Sequence, residues 1–198
     1  GFQRYFSFQL NIAIQNPYLD SSMNLDEVRI LSKDCAKLYV ADYGVSAVVK
    51  ICGRATFVSS VHFKKLFNSL ISQGCEKFTL DLSDCQLMDS TFLGVLVGLS
   101  RSFSNSADSI FLFNPSDQVN EMFDNLGILN FFGSINDLGL QADFDSVSCN
   151  ENLTDKTELT RNSLDAHQAL MGVNMENKIK FKEVALYLEK KINSSGTS

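Results

Sequence analysis

Phe78 to Leu96 reads F-T-L-D-L-S-D-C-Q-L-M-D-S-T-F-L-G-V-L, and this stretch decides the fold class. Phe78, Leu80 and Leu82 alternate with Lys77, Thr79 and Asp81, the period of two that puts one set of strand side chains on a core. Asp89-Ser90-Thr91 then supplies three short polar side chains that can accept the orphan N–H groups of a helix's first turn. Beyond them Phe92, Leu96, Leu99 and Phe103 make one stripe, while Leu93, Val95 and Val97 add apolar surface around the cylinder. The helix is therefore predicted to be largely buried. Gly94 and Gly98 inside it cost about 1 kcal/mol each relative to Ala, a cost that close packing against the sheet would explain.

The same switching of periods extends in both directions. Upstream, Leu38 to Ala41 and Ser46 to Cys52 are short β-branched-rich runs around the turn-prone pair Tyr43-Gly44, a predicted hairpin that Gly53 ends. Ser59-Ser60 can cap a helix with Phe63, Leu66, Phe67 and Leu70 at i, i+3, i+4 and i+7, which Gly74 terminates. Downstream, Ile110 to Phe113 is a continuous apolar run suited to a strand covered on both faces. Pro115 and Ser116 open a third helix with Val119, Met122, Phe123 and Leu126 on one face, closed by Gly127. Leu129 to Ile135 fits either a last strand or a closing helix turn. Repeated strand–helix–strand units imply a mainly parallel α/β sheet of four to five strands with helices packed on it.

With 198 residues, one domain with appendages is the default, since a domain typically takes about 100–200 residues. The division reads as a leader over residues 1–35, the α/β domain over 36–136, an acidic polar linker over 137–162 and a C-terminal helical extension over 163–198. In the extension Asp165 to Ala169 starts a short helix, and Glu176 to Asn193 forms a longer one with Phe181, Val184, Leu188 and Ile192 on one face. That stripe either packs on the same domain or is offered to another chain. Gly1 reads as a scar of tag removal, and Met23 as the natural start.

A net charge of −6 and a pI near 4.9 argue against a nucleic-acid or anionic-membrane surface. Five cysteines without a C-x-x-C spacing indicate neither a complete disulfide framework nor a zinc knuckle, and read as reduced thiols. The apolar run Phe92 to Leu99 falls well short of the ~20 residues of a membrane helix, and no signal peptide is legible, so a cytoplasmic protein without direct membrane insertion is expected. His62 and His167 are isolated, and read as surface or helix-face residues rather than as a metal site or a catalytic base. Asp81, Asp84 and Asp89 cluster after a strand, but no Lys or further acidic motif in the sequence completes a phosphotransfer or Mg²⁺ site. Catalysis, a metal and a cofactor are not expected.

The order of elements and the motif D-S-T after F-T-L-D-L resemble the STAS domain of bacterial anti-sigma factor antagonists. Ile110 to Asn114, Pro115-Ser116 and Asn125-Leu126-Gly127-Ile128 are similar to that family's fourth strand, third helix and closing turn. The resemblance covers about half of the chain and omits the C-terminal extension. It implies a non-enzymatic regulator that binds an anti-sigma factor serine kinase and is released when the serine after the Asp, here Ser90, is phosphorylated. A constitutive STAS scaffold subunit of a membrane transport complex is the alternative it implies. The partner surface would comprise Asp89, Ser90, Thr91 and Phe92, bordered by Asp84 and by Arg54 in the loop Gly53 to Phe57. Phe92 stands where the family usually has Gly, and three roles fit an aromatic there: a core residue, a bar to the usual kinase, or an exposed binding anchor.

Overall fold

In the computed structural model, which describes residues 35–138, 143–147 and 155–195, the expected hairpin consists of β1 (Lys37–Asp42) and β2 (Ser46–Ala55). Gly1, Met23 and Cys149 lie outside the described residues. Strand β2 does not end at Gly53. That residue takes φ 91° at a register shift, a bulge geometry that glycine adopts without strain, and the strand continues to Ala55. Ser46 to Lys50 pairs in parallel with β3 (Lys77–Asp81), whereas Gly53 to Ala55 pairs with β4 (Cys85–Met88). Helix α1 (Phe57–Ser72) begins earlier than Ser59-Ser60, because Thr56 is the N-cap and Ser59 Oγ accepts from its N–H at 3.0 Å.

Helix α2 (Ser90–Ser100) follows β4, then come β5 (Ile110–Phe113) and α3 (Asp117–Asn125), whose N-cap Ser116 accepts from Val119 N–H at 3.3 Å. Leu129 to Ile135 holds both of the expected forms, a 3₁₀ turn at Leu129–Phe131 and strand β6 (Gly133–Ile135). With β7 (Asp145–Ser146) included, the sheet runs β6-β5-β3-β2-β1-β7 with β4 beside β2, seven strands among the described residues. The pairs among β2, β3, β4, β5 and β6 are parallel; those of β1 are antiparallel. The excess over four to five strands comes from the short β4 and from β7 (Asp145–Ser146). The latter lies in the stretch read as a solvated linker, and it pairs with Tyr39 and Val40 at the sheet edge.

Under the sheet, Phe63 and Phe67 of α1, Phe78 of β3 and Phe92 of α2 are all fully buried. Phe67 stacks on Phe78 with centroids 3.9 Å apart, and Phe63 tilts against Phe92 at 5.0 Å.

The C-terminal extension is a helical pair, α4 (Lys156–Met171) and α5 (Met175–Ser195). Helix α4 starts ahead of the boundary read at 163, and its polar sequence misleads for a physical reason: Thr160, Asn162, Ser163 and His167 are buried against other protein groups rather than solvated. The stripe of α5 is covered too, with Phe181, Val184 and Leu188 buried. Helix α4 lies across α2, close enough that a Cβ placed on Gly94 would sit 2.3 Å from the Ala166 carbonyl oxygen. Closeness to this helix, rather than to the sheet, thus explains Gly94.

Candidate functional site

Asp89 holds two helices at once. As N-cap of α2 its Oδ1 accepts from Phe92 N–H at 2.8 Å, and its Oδ2 accepts from Phe57 N–H, the first residue of α1, at 2.7 Å. Its own N–H donates to the Ala55 carbonyl at 2.9 Å, tying the cap to the end of β2. Burial pushes the carboxyl up from the usual 3.8 to about 6, against the backbone N–H bonds of Phe92, Phe57 and Thr91, which favour the charged form.

A carboxyl whose pKa is higher folded than unfolded binds its proton more tightly when folded. Its contribution to stability is present in full below pH 3.8 and lost as pH rises through about 6. The unfolding free energy of the native protein minus that of Asp89→Asn should therefore fall between pH 4 and pH 6.5 in denaturant titrations. A difference that stays level or rises across that window contradicts the raised pKa.

Ser90 opens α2, and its Oγ lies 3.1 Å from His167 Nε2 on α4, 77 residues away in the chain. Burial lowers the His167 pKa and keeps the ring neutral. Its Nδ1 lies 2.7 Å from the Ser163 carbonyl oxygen, which can only accept, so the proton sits on Nδ1 and Nε2 accepts from the Ser90 hydroxyl. The reading of His167 as an isolated helix-face residue is thereby corrected: it is 3% exposed and reaches the predicted phosphoacceptor. A signal existed, since Ser163, Ala166, His167 and Leu170 share one helical face.

Thr91 is 5% exposed, and Phe92 is entirely buried against Phe63. The placing of Phe92 on the partner surface is corrected accordingly; the ring is a core residue because the first turn of α2 faces α1. Arg54 is exposed, but it lies in β2 opposite Leu87 of β4 rather than in a loop. Asp84 is also exposed and engaged elsewhere, 2.7 Å from Lys50 Nζ, which lies 3.5 Å from Asp81 as well. The hydrogen bond from Lys50 lowers the Asp84 pKa. The sequence reading found no Lys for these carboxylates; β2 delivers one because Lys50 pairs with Asp81 in the sheet register.

Fold and site together define a mixed α/β module with one serine hydroxyl at a helix start, capped by a half-buried carboxylate. The chain belongs to the STAS domain family, whose description matches residues 39–142, just over half of its length. A protein of Thermotoga maritima named among the anti-sigma factor antagonists is 38% identical over 58 residues, 29% of this chain and 51% of that protein. The chain thus spans about half the length of that curated relative. Among solved structures, an anti-sigma factor antagonist from Mycobacterium paratuberculosis aligns with TM-score 0.47 at 15% identity, covering 53% of this chain and 89% of that one. The anti-sigma factor antagonist SpoIIAA in its unphosphorylated form aligns with TM-score 0.46 at 18% identity, covering 50% and 89%. No helix among the described residues is long and apolar enough to cross a membrane.

Proposed function

We propose that this protein is an anti-sigma factor antagonist that binds a kinase-type anti-sigma factor and is switched off by phosphorylation of Ser90. The observation that carries the reading is the position of Ser90: the first residue of α2, directly after the capping Asp89, in a STAS domain whose curated relative bears the antagonist name. A phosphate there meets the positive end of the helix dipole, so the modified domain can stay folded. It also adds roughly −1.5 to −2 charges beside Asp89, which weakens a partner surface matched to a neutral hydroxyl. In the transfer, the Ser90 Oγ–P bond forms as the bond from the γ-phosphorus of ATP to the ADP oxygen breaks. ADP leaves with the electron pair, and the hydroxyl proton passes to a base of the kinase. The protein itself acts as acceptor and binding surface, not as enzyme.

Incubation with a kinase-type anti-sigma factor and ATP should add one phosphate to the native protein and none to Ser90→Ala, by intact mass. A full phosphate on Ser90→Ala refutes the assignment. Recovery of a membrane ATPase instead of a kinase in affinity purification would favour the scaffold alternative.

A further inference from the structure

The two C-terminal helices do not pack on the domain at random; α4 covers the start of α2. Along its length the seam carries a row of polar contacts. Asn162 Nδ2 donates to Ser60 Oγ at 2.8 Å, the Ser90 hydroxyl meets His167, and Arg101 donates to the Ala169 carbonyl at 2.9 Å. Asn177 of α5 donates to the Leu126 carbonyl at 2.9 Å. An apolar part accompanies them: Ala166 and Ala169 lie against the helix that carries Gly94 and Gly98, and Leu170 and Phe181 are buried in the same core cluster. Among the described residues, the buried side-chain polar atoms without a hydrogen-bond partner are Asn162 Oδ1 and Asn177 Oδ1, both on this helical pair. Release would hydrate both oxygens, whereas the sheet core gains nothing from opening.

We propose that the α4–α5 pair is an intramolecular cover over the face of α2 that carries Ser90, and that a partner reaches Ser90 only when the cover is released. The importance of that face to a partner rests on the function proposed above; the cover itself rests on the contacts. A phosphate on Ser90 would displace the 3.1 Å contact with the buried His167 ring, so the modified form favours the released state. Opening would expose Leu170 and Phe181, an apolar cost that partner binding or the phosphate must offset. Strand β7 pairs with β1 at the sheet edge, an attachment that does not involve the pair.

Native-state hydrogen exchange on the full chain tests the cover directly. Amides of residues 156–171 should exchange at least tenfold faster than those of β3 and β5. A Cβ on Gly98 would lie 3.9 Å from that of Ala169, within disulfide range, so Gly98→Cys/Ala169→Cys can clamp the pair shut. Oxidising the clamp should slow the exchange of 156–171 toward the sheet rate, and reduction should restore it. Equal exchange of 156–171, β3 and β5 in the native chain overturns the proposal. So does an oxidised clamp that leaves the exchange of α4 unchanged. With a kinase-type anti-sigma factor and ATP, the reduced clamp should be phosphorylated at least tenfold faster than the oxidised one, and equal rates overturn the cover. Absence of phosphate from both forms refutes the phosphoacceptor reading alone, because the exchange result decides the cover.

Discussion

Phe92→Gly, the substitution that would install the residue usual in the family, is expected to cost at least about 3–5 kcal/mol of unfolding free energy, the range for deleting a core Phe ring. The ring is fully buried, 5.0 Å from Phe63, within the core cluster that unites α1, α2 and the sheet. Removing it leaves a cavity between two helix starts that Asp89 holds together, so the surroundings cannot collapse freely. A domain stable by about 5–15 kcal/mol would lose about a fifth or more of that margin. Urea unfolding at neutral pH measures the loss, and a change below about 1 kcal/mol would contradict the core role. The departure from the family at this position therefore bears on stability before it bears on recognition.

Gly94→Ala is expected to destabilise the chain, although alanine is the better helix former. Helix propensity alone predicts a gain of about 1 kcal/mol. Against that stands a methyl group 2.3 Å from the Ala166 carbonyl oxygen and 2.6 Å from its carbon, both backbone atoms that no side-chain rotation can move. Overpacking of this kind costs about 1–3 kcal/mol, and the alternative to that cost is separation of α4 from α2. A net loss is expected either way, with the amides of residues 156–171 losing protection while β3 keeps its own. Gly98→Ala offers the internal control. Its Cβ would lie 3.9 Å from Ala169 Cβ, an ordinary contact, so the propensity gain should survive. Thermal unfolding of the two variants side by side checks the contrast, and equal shifts would refute it.

Much of this was legible in the sequence because it is local. The alternation in Phe78 to Leu82, the cap at Asp89 and the stripe of α2 each arise from residues a few positions apart, and helix and strand appeared where those periods placed them. Boundaries set by distant pairing were not legible. Strand β2 outlasts Gly53 because β4 pairs with its end, and α4 starts at Lys156 because its polar face is buried rather than solvated.

The candidate site divides along the same line. Sequence alone determined that Ser90 stands at the first turn of a buried helix behind a capping aspartate, since capping is a matter of one to three residues. Only the tertiary structure decided that Phe92 points into the core, that Lys50 reaches Asp81 and Asp84, and that His167 closes over the Ser90 hydroxyl. These contacts join segments far apart in the chain, and no periodicity records which helix will lie across which. That depends on shape at the crossing, where the missing side chain of Gly94 lets α4 come close enough for its histidine to reach the serine.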